Sequence, residues 1–301
     1  MISNDFFKKT RILDGGMGQE LLARGMRSNS TLWSANAILE ENYHQLVLDT
    51  HVDFIKAGAE IIVTNTFATR QKRLKENNLL DKFEFLNQKA GEIAQAAKKK
   101  FPKIYVAGGL PPQNLTYEAD NRDEGEIIEN LNSQAKALDP YVDFFYFDVW
   151  SSIKEVNCGI EAVKEFNKPY LVGLHIAEGT TLPSGEKIKD IKNFINENTL
   201  GVMLSCVSPE NFENNLQELK SLNVPFGFKL NGFITTKLKE SYTSIFIGKK
   251  SNPNEILGKR QDLTHIKIQE FAKKFKENGA TIIGGCCETG PSHIEAMSKI
   301  K

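Results

Sequence analysis

The chain has 301 residues, with 38 Lys and Arg against 38 Asp and Glu, 40% hydrophobic and 25% charged residues, a globular profile that excludes disordered and collagenous classes. Zero formal net charge with scattered lysines leaves no footprint for nucleic acid, and no apolar run approaches the roughly 18 to 20 residues needed to cross a bilayer. Four cysteines are too few for a disulfide scaffold, and the first nine residues lack the order of a signal peptide, so reduced thiols and a cytosolic (cytoplasmic) address are expected.

Taken in chain order, β-rich segments at 11–13, 60–67, 104–110, 142–150, 170–176, 201–207, 226–232 and 280–287 alternate with stretches of helical periodicity. The helical stretches are 40–57, 82–100, 124–138, 152–166, 209–222, 263–278 and 291–300. Continuous apolar runs such as Ile61-Ile62-Val63 and Phe144-Phe145-Tyr146-Phe147 suit strands covered on both faces, the habit of parallel sheets. In the sixth helix Ile266, Ile268, Phe271, Ala272 and Phe275 make an apolar stripe that Gly279 terminates. Strand–helix repeats with no polar linker or change of composition predict an α/β protein, one (β/α)8 TIM barrel over residues 1–301, rather than two doubly wound domains. Residues 233–260 form the longest loop-like stretch, a candidate lid or subunit contact that leaves a homo-oligomer open.

A barrel places chemistry at the C-terminal ends of its strands. Cys206 closes the sixth strand and Cys286-Cys287 the eighth, so three thiols fall at that end. Thiolates favour zinc, and three protein ligands with an open fourth position mark a catalytic site. Adjacent residues of a regular strand face opposite ways, so the pair can share a metal only where the strand breaks, a freedom attributed to Gly284-Gly285. Taken singly, each cysteine reads first as core packing; the three together at strand ends reverse that reading. Cys158, early in a helix, is expected to be dispensable.

Asp14 ends the first strand in Leu13-Asp14-Gly15-Gly16-Met17-Gly18, which lacks the residue order of nucleotide-binding loops; an Asp-Gly turn is the bland alternative. Together with Gln19-Glu20-Leu21, Val63-Thr64-Asn65-Thr66-Phe67, Cys206 and Ile283-Gly284-Gly285-Cys286-Cys287-Glu288-Thr289, this motif resembles the homocysteine S-methyltransferase family, the zinc-thiolate barrels that include betaine and S-methylmethionine enzymes, across nearly the whole chain. The resemblance implies a zinc-dependent methyltransferase, with Zn2+ on Cys206, Cys286 and Cys287 and the homocysteine sulfur in the open position. It further implies that Asp14 holds the homocysteine ammonium and that backbone at Gly15 and Gly16 and the Thr64 side chain line the site. The family usually carries Glu at the end of the fourth strand, where this chain has Asp148, a shorter side chain of the same charge whose alternative role is a helix N-cap.

The implied partners are homocysteine and a small onium methyl donor (S-methylmethionine, glycine betaine or dimethylsulfoniopropionate), giving methionine, with no nucleic acid and no membrane. An onium cation stripped of water should meet aromatic faces. Trp33, Phe67, Tyr117 and Trp150 are the candidates, with Trp33 and Trp150 leading. His44, His51, His265 and His293 read as surface or packing residues, whereas His175 at the end of the fifth strand suits a pocket or a structural role equally. Other readings of the thiols are methylation of a different thiol or selenol, a redox dithiol, and structural zinc.

Overall fold

A computed structural model describes residues 2–3, 5–27, 29–237 and 254–301. Eight strands, β1 (Arg11–Ile12), β2 (Ile61–Val63), β3 (Tyr105–Leu110), β4 (Phe144–Trp150), β5 (Tyr170–Leu174), β6 (Thr199–Val207), β7 (Phe226–Leu230) and β8 (Ile282–Gly285), pair in parallel in the order β1-β8-β7-β6-β5-β4-β3-β2. A parallel bridge from Leu13 to Ile61, with the Asp14 N–H donating to the Ile61 carbonyl at 3.0 Å, joins β1 to β2 and closes the expected (β/α)8 barrel.

Alternation along the strands sorts the apolar residues into two layers. Phe144, Tyr146, Leu171, Leu200, Met203 and Ile282 fill the lumen, while Phe145, Phe147, Val172, Val202 and Leu204 pack outward against the helices. Phe7 meets Phe144 edge to face at 6.3 Å and plugs the N-terminal end of the barrel, so the lumen opens only toward the strands' C-terminal ends.

Eight α-helices of seven or more described residues follow: α1 (Met17–Ala23), α2 (His44–Lys56), α3 (Phe83–Lys100), α4 (Glu124–Leu138), α5 (Ile153–Val163), α6 (Pro209–Lys220), α7 (His265–Glu277) and α8 (Pro291–Ser298). None is long and apolar enough to cross a membrane. Serine and threonine caps start several: the Ser152, Ser208 and Thr264 side chains accept from backbone N–H groups of Glu155, Asn211 and Lys267. Ser152 is thus the cap of α5, and Asp148 is free for another role.

Several elements differ from expectation. The stretch 40–57 is helical from Glu41 to Lys56 but opens as a 3-10 turn at Glu41–Tyr43 after an extended Glu40, and α2 proper starts at His44. Between β5 and β6, where no helical stretch was expected, a run of 3-10 turns at Ile188–Phe194 lies in the connection. On α7 the buried stripe is Ile268, Ala272 and Phe275, and Ile266 is 58% exposed on the outer face. β2 stops at Val63 because the Thr66 N–H turns back to the Thr64 carbonyl at 2.8 Å. Of the stretch 233–260, residues 238–253 lie outside the described residues; its ends meet in an antiparallel bridge between Phe233 and Lys259.

Candidate metal centre

The Sγ atoms of Cys206, Cys286 and Cys287 lie within 4.8 Å of one another, and among the described residues no fourth His, Cys, Asp or Glu joins them. The Tyr117 hydroxyl sits 3.1 Å from Cys206 Sγ, and the Asn231 side-chain amide lies 3.6 Å from the same sulfur. Burial opposes ionisation of Cys206, yet hydrogen bonds from Cys286, Cys287 and Tyr117 hold its thiol well below the ordinary range. Hydrogen bonding to Cys206 in turn drives Cys286 up to about 12 and raises Cys287. Three thiols this close ionise together only when a cation joins them, so the donor set fits a soft divalent metal with one position left open. Cys158 is buried in α5, away from this group, and burial pushes its thiol up to about 11.

The barrel aims these groups by breaking strand regularity. Pairing shifts between Phe147 and Trp150 on β4 and between Ser205 and Val207 on β6, with Val149 at φ 68° and Cys206 at φ 53°. Each bulge turns two consecutive residues to one side, so Asp148 and Val149 both line the cavity, and Cys206 faces it next to Ser205, whose hydroxyl bonds to Tyr146 in the lumen. β8 ends at Gly285, and Cys286 and Cys287 occupy the turn beyond it. The freedom attributed to Gly284-Gly285 does not take the form of a positive φ at either glycine; the positive φ here is at Glu288, at 63°. Gly285 supplies space instead, since a Cβ there would lie 2.1 Å from Thr289 Oγ1. Eight described non-glycine residues have positive φ. Three are asparagines, which tolerate it; of the other five, Trp33, Tyr117, Val149 and Cys206 line this cavity, and Glu288 follows the cysteine pair and accepts from the side chain of Gln19, which lines it.

The cavity has about 980 Å3 of free space, part of it open to solvent. At its closed end Asp14, 1% exposed, receives Lys229 Nζ on Oδ1 at 2.8 Å and the Val63 N–H on Oδ2 at 2.7 Å. Burial would lower the Lys229 pKa, but Asp14, Asp148 and Cys286 raise it, so the ammonium stays charged. Burial pushes the Asp148 carboxyl up to about 7, against the pull of Lys229. Gly15, Gly16 and Thr64 line the same cavity. Gly16 must be glycine because a Cβ would lie 2.4 Å from the Cys286 carbonyl oxygen, and Thr64 Oγ1 is held at 2.9 Å from Thr66 Oγ1 and 3.0 Å from the Gly109 N–H.

The outer wall carries Trp33 and Phe67, edge to face at 6.1 Å, together with Tyr117. Trp150 departs from expectation and does not line the cavity. It is 1% exposed, stacks on Phe147 at 4.2 Å and donates its indole N–H to the Leu110 carbonyl, because the bulge at Val149 returns its side chain to the helix-facing layer. His175 is enclosed behind Tyr117, 4.4 Å from its ring, with Nδ1 donating to the Ser205 carbonyl; burial lowers its pKa to about 4, and it supports the wall as a neutral ring.

Sequence reading missed Lys229, Asn231, Arg70 and Arg73. A lone charge in Phe226-Gly227-Phe228-Lys229-Leu230 was a legible signal, since Phe228 and Leu230 face outward and Lys229 must then face the lumen. Arg70 and Arg73 line the outer wall, Arg70 with its guanidinium 5.6 Å from the Phe67 ring centroid and bonded to Thr116.

Homocysteine S-methyltransferase 1 of Saccharomyces cerevisiae is 26% identical over 329 aligned residues, covering 96% of this chain and 93% of its own length. Homocysteine S-methyltransferase 1 of Arabidopsis thaliana is 25% identical, covering 96% and 92%. The crystal structure of the homocysteine methyltransferase MmuM from Escherichia coli in its metallated form superposes with a TM-score of 0.79 at 20% identity, covering 97% of this chain and 96% of that one, a likeness of fold. Residues 11–300 match the homocysteine S-methyltransferase family, and the chain belongs to that family.

Proposed function

We propose that the protein transfers a methyl group from a small onium donor to homocysteine, giving methionine, with zinc held by Cys206, Cys286 and Cys287. The observation that carries this reading is the three-thiol group facing a cavity with no fourth side-chain ligand among the described residues. When bound there, zinc would supply an acceptor sulfur held as thiolate at neutral pH. The chain's own residues supply the rest. Asp148 faces the acceptor's ammonium, and Gly15, Gly16 and Thr64 enclose it near Asp14. Trp33 and Phe67 offer ring faces to the onium centre, and the guanidinium groups of Arg70 and Arg73 on the same wall suit the carboxylate that S-methylmethionine, glycine betaine and dimethylsulfoniopropionate all carry. An onium donor departs neutral and needs no proton, consistent with a wall whose nearby histidine, His175, is kept neutral behind Tyr117. The test is methionine formation by zinc-loaded protein from homocysteine and each of these donors, with S-adenosylmethionine as a further arm. Turnover with at least one onium carboxylate is expected; no methionine with any of them would contradict the reading.

A further inference from the structure

We propose that Lys229 is a specificity-determining residue that binds the carboxylate of the acceptor amino acid, a role that rests on the acceptor reading above. The closed end of the cavity is rich in acidic groups: Asp14, Asp148 and the three thiols. An acceptor carboxylate entering there meets repulsion unless a cation receives it. Lys229 is the cation of that end, its ammonium interacting with Asp14, Asp148 and Cys286, whereas Arg70 and Arg73 lie on the outer wall with Phe67 and Thr116.

The hydrogen-bond inventory points the same way. An ammonium carries three donors, and among the described residues Lys229 spends one, on Asp14 Oδ1. Asp14 uses its other oxygen for the Val63 N–H, so it serves chiefly to hold Lys229 in place. The Gly16 N–H, a donor that could otherwise meet a carboxylate, is committed to the Thr289 carbonyl at 2.9 Å. Lys229 is 5% exposed and lines the cavity, with its Nζ also 5.8 Å from the Tyr146 ring centroid, so a carboxylate that reaches the ammonium meets it away from bulk water, where a charge-assisted hydrogen bond is strongest.

Three thiols separate the contributions: L-homocysteine, 4-mercaptobutyrate, which lacks the amino group, and 3-aminopropane-1-thiol, which lacks the carboxylate. Dissociation constants for zinc-loaded protein would be measured by calorimetry. The parent should bind 3-aminopropane-1-thiol about tenfold or more weakly than homocysteine. Because Lys229→Met alone strands the buried Asp14 charge, the informative variant is the charge-neutral Lys229→Met/Asp14→Asn pair. It should lose about tenfold or more for homocysteine and 4-mercaptobutyrate while 3-aminopropane-1-thiol stays within about threefold. Equal losses for all three thiols, or a loss confined to the two amines, would overturn the proposal. Should the double variant fail to fold, Lys229→Arg keeps the cation and must keep the discrimination, and a parent that binds homocysteine and 3-aminopropane-1-thiol alike would by itself refute the role. If the parent binds none of the thiols, the acceptor reading falls as well, an outcome distinct from carboxylate-independent binding.

Discussion

Cys206 holds a left-handed backbone conformation in which cysteine has no intrinsic advantage, and this turns its sulfur toward Cys286 and Cys287. Cys206→Ala should therefore abolish stoichiometric zinc and methyl transfer together, whereas Cys158→Ala should leave both intact; elemental analysis showing full zinc in the Cys206 variant would refute the ligand set. The two tryptophans divide in the same way. Trp33→Ala should raise the apparent donor constant roughly two- to thirty-fold, the range of a cation–π contact of about 0.5 to 2 kcal/mol. Trp150→Ala should leave that constant alone and cost about 3 to 5 kcal/mol of stability in urea titrations, as for other buried aromatics. The composition of the thiol trio was legible because cysteines are rare here and fall at strand ends. The direction of Trp150 was not, because a bulge between two strands is decided by pairing and leaves no mark on the residues that flank it.

At the scale of elements, the bulges on β4 and β6 are the devices that convert barrel strands into a site. Val149 shows how two effects compete there. A β-branched residue at φ 68° carries strain of about 1 to 3 kcal/mol, while burial of its side chain returns a similar amount. Val149→Gly should consequently cost at least about 1 kcal/mol less than Val172→Gly on β5, where Val172 is equally buried at ordinary φ. Equal costs in denaturant would mean that the bulge stores no strain. Strand existence was readable from apolar runs, and α4 and the start of α6 fell where periodicity put them. The 3-10 connection before β6 was not, since the two buried residues of Ile188–Phe194, Ile188 and Ile191, make too short a stripe to announce a helix.

For the whole molecule, the lumen is filled below by Phe7 and Phe144 and left open above, where the buried acidic and basic groups gather. Buried carboxyls also sit outside the cavity. Glu155, 2% exposed and bonded to Ser152, has its carboxyl pushed up to about 7 by burial. A carboxyl whose folded pKa is raised favours the native state fully below its unfolded value near 4.5, and that contribution is lost as pH rises to about 7. Glu155→Gln should accordingly gain on the order of 3 kcal/mol relative to the parent between pH 4.5 and 8. A gap that does not change with pH would show that the group ionises without cost. The barrel itself was legible because its signal is spread over the whole chain. The pairing of Asp14 with Lys229, 215 positions apart, was not, because neither residue's neighbours announce the other.

The central claim is that three thiols hold a metal whose remaining position takes the acceptor's sulfur. X-ray absorption at the zinc edge, on the same zinc-loaded sample before and after homocysteine, tests it most directly. Three sulfur ligands and one lighter ligand are expected before addition and four sulfurs after it; an unchanged sulfur count, or four sulfurs already present without homocysteine, would refute the ligand exchange.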